Sequence, residues 1–127
     1  MSQQQDEADL LNLELIYIRS GGEFLVGFIG PRLIAMGGFK RLSSTDAELK
    51  RMRIARDLQG QGHGTTLLKE LERRAWEGGV RNLSLEAAKR RPLTLQFYRK
   101  HGYLESGHGM YGIVETVRFT KILPPPK

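Results

Sequence analysis

The sequence contains no cysteine. That excludes a disulfide framework, a thiolate metal site and a cysteine nucleophile. Its three histidines, at 63, 101 and 108, lack the spacing of metal ligands, so no metal is expected. No apolar run approaches the roughly 20 residues that a membrane span requires. The polar start Met1-Ser2-Gln3-Gln4-Gln5-Asp6-Glu7 is no signal peptide. A cytoplasmic protein with no membrane partner is the expectation. The basic residues give a formal charge of +6 but form no block, and no aromatic-rich RNA-binding motif accompanies them. Nucleic acid is therefore a minor reading, whereas a ligand bearing several phosphates suits the same charge. What is present is ordinary for a globular protein: 127 residues, 39% hydrophobic and 27% charged. One domain over residues 1–127 with a proper core is expected.

Residues 1–7 read as a disordered lead. From Ala8 to Arg19 the apolar residues fit two periods. Leu11, Leu15 and Ile18 form a helical stripe, whereas Leu11, Leu13, Leu15 and Tyr17 alternate as a strand would. Length, the acidic entry and the Ser20-Gly21-Gly22 stop favour the helix. Residues 24–29 read as a strand, Gly30-Pro31-Arg32 as a turn, and 33–42 as the hairpin partner, with a kink or bulge at Gly37-Gly38. Ser43 to Asp46 turns the chain into a strand over 47–55, the third of three antiparallel strands. A helix follows over about 63–77, ended by Gly78-Gly79. Residues 81–87 alternate as the next strand, parallel to 47–55 through a helical crossover. Pro92 opens a short helix over 93–100, closed by Gly102. Residues 103–105 and 112–121 are the last strands, joined by a loop containing Ser106-Gly107-His108-Gly109. Pro124-Pro125-Pro126 forms an extended tail.

The chemistry centres on Gln59-Gly60-Gln61-Gly62-His63-Gly64, between the 47–55 strand and a helix whose apolar face is Leu67, Leu68, Leu71 and Ala75. A glycine-rich turn at a helix start presents backbone N–H groups at the positive end of the helix dipole, where phosphates bind. Glycines suit it because wrapping a phosphate needs positive φ and close backbone approach. A Walker loop would need a lysine before Thr65-Thr66, and the spacing Gly60-x-Gly62-x-Gly64 does not fit a dinucleotide fingerprint. An ordinary strand-to-helix turn would collect glycines too.

Gln59-x-x-Gly62-x-Gly64 resembles the acetyl-CoA pyrophosphate loop of the GNAT superfamily of N-acetyltransferases. Further on, Leu95-x-Phe97-Tyr98-Arg99-Lys100-His101-Gly102-Tyr103 resembles that family's late helix, at the right distance and with one strand between. The resemblance spans roughly Glu23 to Leu123. It implies an α/β (α+β) fold with a mixed, mainly antiparallel sheet that splays where Met52–Ile54 and the 81–87 strand part. Acetyl-CoA would lie in that splay as co-substrate. The chain departs from the pattern in having little room before Glu23, which makes it a short member, and in carrying Pro92 and Leu95 at the start of the late helix.

The implied activity is direct transfer of an acetyl group to a primary amine, of a small molecule or a peptide, in a ternary complex. The pyrophosphate would be cradled by backbone N–H groups from Gln61 to Thr65, including His63 and Gly64, with Gly60 and Gly62 in the turn. Gln59 would shape the loop or reach a phosphate. The His63 side chain is expected to point outward and takes no catalytic role. Acetyl-pantetheine would lie along Met52, Arg53 and Ile54, with the Met52 N–H donating to the acyl oxygen. Arg51 and Arg53 either attract phosphates or are solvated strand charges. Glu48 is the candidate general base, sharing by alternation a face with Lys50, Met52 and Ile54. Its alternative is an exposed, paired carboxylate. Glu86 is a second candidate base. Tyr98 is the candidate general acid at the leaving sulfur, or else a core tyrosine. Trp76 reads as core. A non-catalytic acyl-CoA-binding module is the rival, and an exposed sheet edge makes a homodimer an option.

Overall fold

Strand β1 (Glu14–Arg19) falls where a helix was expected. Leu13, Leu15 and Tyr17 turn inward and Glu14, Ile16 and Ile18 outward, a period of two. The pairing partner decides it: β1 lies antiparallel to β2 (Glu23–Ile29), from Glu14 against Phe28 to Arg19 against Glu23. A short segment that fits both periods goes to whichever state buries its apolar side chains. The computed structural model describes residues 13–19 and 23–126, so the lead over 1–7 and the Ser20-Gly21-Gly22 stop lie outside the described residues.

The remaining elements are β3 (Arg32–Arg41), β4 (Asp46–Ile54), a 3₁₀ turn (Arg56–Leu58), α1 (His63–Glu77), β5 (Asn82–Ala88), α2 (Pro92–Lys100), β6 (Leu104–Tyr111) and β7 (Val114–Ile122). The strands form one seven-stranded sheet in the order β1-β2-β3-β4-β5-β7-β6. Pairs β1–β2, β2–β3, β5–β7 and β6–β7 are antiparallel, and β4–β5 is parallel. This is the mixed, mainly antiparallel α/β fold expected. By contacts the chain gathers into two compact units: residues up to Lys40 with Lys50–Arg73, and Arg41–Leu49 with Arg74 onward.

In the first unit, Gly30 at φ 57 opens a two-residue hairpin turn between Ile29 and Arg32, the position at which such turns favour glycine. The bulge of this hairpin lies at Gly27/Phe28, not at Gly37-Gly38. The glycine pair serves close approach instead. A Cβ on Gly37 would stand 2.8 Å from the Met52 sulfur and 3.2 Å from Leu71, and one on Gly38 would stand 2.4 Å from the Glu23 carbonyl oxygen. The core here is Leu25, Ile34, Ala35, Phe39, Leu67, Leu68 and Leu71, all buried. Each such large side chain contributes about 1.5–3 kcal/mol when fully buried.

In the second unit, β4 and β5 pair over a short ladder, from Asp46 against Asn82 to Glu48 against Ser84. Helix α1 ends as its glycines predict. Gly79 has φ 94, its N–H donates to the Trp76 carbonyl, and the Val80 N–H reaches back to Ala75. These two bonds make a Schellman stop. Trp76 is half-buried rather than core, with the Arg81 guanidinium 3.5 Å over its ring. Helix α2 ends the same way: Gly102 has φ 90, its N–H donates to Arg99, and the Tyr103 N–H donates to Tyr98. The hydrophobic contact that accompanies such a stop is Tyr98 against Tyr103, ring centroids 5.6 Å apart.

The expected loop over 106–109 is instead part of β6, which pairs with β7 along its length around a register shift between Glu105 and Gly107. The connection is only Gly112-Ile113, with Gly112 at φ 61. Glycines at 107 and 109 weaken the strand signal in the sequence, but the long pairing with β7 supplies what they lack.

Candidate active site

In the first unit the glycine loop is built by backbone conformation. Gly60 and Gly62 have φ 80 and 90, and nothing lies within 4 Å of a Cβ placed on either. These glycines are required for their φ, not for lack of room, and the space over them is open. The first intrahelical bond of α1 runs from the Thr66 N–H to the Gly62 carbonyl at 3.1 Å. The His63 and Gly64 N–H groups thus precede any acceptor within the helix and stand at its positive end. A cradle of open left-handed glycines followed by helix N–H groups fits a diphosphate, so the residues present suit the pyrophosphate of a CoA-type ligand. Gln59 is turned to the loop itself: its Nε2 donates to the Ile54 carbonyl at 3.1 Å and ties the loop base to the end of β4.

His63 does not point outward as expected. It is 7% exposed, and its Nε2 is buried with no hydrogen-bond partner among the described residues. The first position of α1 turns inward, although a loop histidine in the sequence gives no sign of it.

The strand before the loop holds a feature that the sequence does not signal. Arg51 has φ 59, in the left-handed region. For a side chain of this kind that conformation costs about 1–2 kcal/mol, so surrounding structure must impose it. Along β4 the inward positions are Ala47 and Leu49 before it, and Met52 and Ile54 after it. The alternation slips by one residue at Arg51. The expected sharing of one face by Glu48, Lys50, Met52 and Ile54 therefore does not carry through the strand. The Met52 sulfur lies over Gly37, and the Arg53 guanidinium donates to the Met52 carbonyl at 3.4 Å.

A further pair braces the loop base. Arg32, at the β2–β3 turn, meets Asp57 of the 3₁₀ turn with both nitrogens, at 2.6 and 2.9 Å. The Arg32 hydrogen bond holds the Asp57 carboxyl below its usual range. Residues so far apart in sequence offered no motif by which to find the pair.

In the second unit Glu48 is half-buried on β4, beside Ser84 of β5. Paired residues of neighbouring strands face the same way. The register therefore places Glu48, Ser84, Glu86, Thr116, Arg118 and Thr120 on one face. Glu86 is ordered there: Thr116 Oγ1 donates to its Oε2 at 2.8 Å, and Arg118 Nη1 to its Oε1 at 3.3 Å. The other face carries Leu83, Leu85, Val117 and Phe119, all buried. Tyr98 belongs to that side. It is 7% exposed, with ring centroids 5.2 Å from Phe97 and 6.3 Å from Phe119. Glu48 and Tyr98 thus lie on opposite faces of the sheet. No group of acidic and histidine residues that could hold a metal occurs among the described residues. Nor is any described helix long and apolar enough to cross a membrane.

The sequence pattern of a family described as Acetyltransferase (GNAT) family matches residues 2–103. No curated protein matches the chain. Among solved structures, a GNAT family acetyltransferase from Elizabethkingia anophelis with acetyl-CoA bound is similar at TM-score 0.73 and 18% identity, over 96% of this chain and 84% of that one. A Bacillus subtilis acetyltransferase in complex with CoA is similar at TM-score 0.77 and 14% identity, over 89% of this chain and all of that one (100%). Ard1 from Thermoplasma volcanium is similar at TM-score 0.76 and 16% identity, over 80% and 70%. At these identities the structures speak for the fold alone.

Proposed function

Since the chain belongs to the GNAT acetyltransferase family, we propose that it is a single-domain, cytoplasmic N-acetyltransferase that moves an acetyl group from acetyl-CoA to a primary amine by direct transfer. The observation that carries the proposal is the pair of open, left-handed glycines, Gly60 and Gly62, at the start of α1. Bound acetyl-CoA supplies an acetyl thioester. The chain supplies the rest. Backbone N–H groups from Gln61 to Thr65 hold the diphosphate, with Gln59 keeping the loop against β4. Met52, Arg53 and Ile54 present their backbone to the pantetheine arm, and the Met52 N–H donates to the acyl oxygen as it gains charge. Glu48 takes the proton that the amine must lose, directly or through water. The Tyr98 hydroxyl gives a proton to the departing sulfur.

The test is calorimetry with acetyl-CoA, CoA and ADP-ribose, followed by thiol release with a panel of primary amines. Binding of the first two ligands and release of CoA with at least one amine is expected. Acetyl-CoA binding without release from any amine would instead favour the non-catalytic acyl-CoA-binding module.

A further inference from the structure

The two faces of the sheet in the first unit are covered unequally. Helix α1 lies on one of them: its Leu67 and Leu71 come up to Gly37, which pairs with Leu25, and all four are buried. The opposite face carries Ile16 and Ile18 of β1, Phe24, Val26 and Phe28 of β2, and Leu33 of β3, set side by side by the strand register. None of the six is buried. Ile16, Ile18 and Leu33 are 44%, 42% and 51% exposed. Among the described residues of this unit no second helix covers them. A sheet buries its apolar faces against another layer, and a contiguous bare one marks an interaction site. Two charges flank the strip at one level. Glu14 turns outward with Ile16 and Ile18 at the β1 edge and stands beside Phe28. Phe28 stands beside Leu33, and the Ala55 N–H donates to the Ile34 carbonyl, which brings the end of β4 to the same level. There Arg53 alternates with Met52 and Ile54, which turn to the α1 side, so its side chain leaves on the bare face. Both charged residues are exposed.

We propose that a second copy of this chain covers this face, sheet against sheet, about a two-fold axis that runs along the strands. In the sheet order β1-β2-β3-β4, such an axis lays β1 of one copy over β4 of the other and β2 over β3. Glu14 of each protomer then meets Arg53 of its partner. An axis across the strands would instead put Glu14 over Glu14 and Arg53 over Arg53, like charge on like. The charges therefore choose one arrangement, while the apolar strip supplies the attraction. Sheets packed face to face lie about 10 Å apart, a gap that two long side chains such as Glu and Arg can bridge from opposite sides. The contact is isologous and closes as a dimer. A strip three strands wide is at the small end of stable interfaces, so the dissociation constant is on the order of 10 µM. None of this depends on the transferase reading.

The experiment is analytical ultracentrifugation of the full chain from about 1 to about 500 µM, with the melting temperature of the dilute protein followed in parallel. The wild type is expected to pass from monomer to dimer across this range. Ile16→Lys, at an exposed position, leaves the monomer as stable as the wild type and abolishes the dimer. Glu14→Arg and Arg53→Glu each weaken association by about tenfold, because each sets like charges together. Mixed one to one, these two variants form a heterodimer about tenfold tighter than either makes alone, since each then supplies the charge that the other lacks. A wild type that stays monomeric up to about 500 µM overturns the inference. If that monomer binds a hydrophobic dye, the face belongs to a different protein; if it binds none, residues 1–12 of the same chain cover it. A dimer that survives Ile16→Lys overturns it too, because association then uses another surface. So does a mixture no tighter than its two components.

Discussion

The glycine loop of the first unit and the Glu48–Glu86 face of the second bring groups together in different ways. The loop is made of backbone. Its Gly60 and Gly62 matter through φ, and the groups that the proposed site offers to a diphosphate are backbone N–H groups, which every residue but proline has. The face is made of side chains from β4, β5 and β7, brought into line by strand register. A backbone site depends on a few neighbouring residues and shows in the sequence as a motif. A side-chain site assembled across strands depends on pairing between distant residues, and no short pattern announces it.

The largest expected effect breaks the first region. Gly62→Asp forces a carboxylate and a strained φ into the cradle, and acetyl-CoA affinity should fall by about 100-fold or more. Calorimetry reads this directly, and unchanged affinity would remove the loop from the cofactor site. Next, Glu48→Gln acts on the second region alone. Turnover should fall by about 100-fold while acetyl-CoA affinity holds. A pH–rate profile that overlays the wild type would show that Glu48 is not the base.

Tyr98→Phe is a smaller and sharper test, because the Tyr98 ring also has a structural role. Its ring closes the α2 stop against Tyr103 and packs on Phe119. Phenylalanine keeps that packing. A rate reduced by roughly tenfold with an unchanged melting temperature assigns the hydroxyl a part in transfer. An unchanged rate returns Tyr98 to the aromatic cluster.

The smallest effect concerns the brace beneath the loop. Asp57 is held below its ordinary carboxylate value of 3.8 by the Arg32 hydrogen bond. A depressed folded value contributes stability above the unfolded one, and that contribution is lost as pH falls through the folded value. Denaturation midpoints of wild type and Asp57→Asn should therefore differ slightly at neutral pH and converge in acid below about 4. Both side chains are exposed, so salt should shrink the difference. A gap that persists in acid would mean that Asp57 acts by other means.

Most elements were legible because their signals are local. Gly79 and Gly102 end helices by adopting positive φ, Pro92 begins one, and Gly30 turns a hairpin. The tyrosine-to-glycine spacing of the late helix is legible for the same reason: it is the geometry of a Schellman stop. Where the reading failed, distant chain decided. Residues 14–19 became a strand by pairing with β2, and residues 106–109 joined β6 by pairing with β7. The expected kink at Gly37-Gly38 proved to be clearance: at Gly37 for Met52 and Leu71, which approach from β4 and α1, and at Gly38 for Glu23 and Phe24 of β2.

The sequence by itself determined the glycine turn before α1, the helix limits and the order of most elements, because bond rotations and capping act between near neighbours. The tertiary structure alone decided the left-handed Arg51, the burial of His63, the Arg32–Asp57 brace and the grip of Thr116 and Arg118 on Glu86. Each of these is set by what packs or pairs from elsewhere in the chain, and that is fixed only when the sheet closes its register.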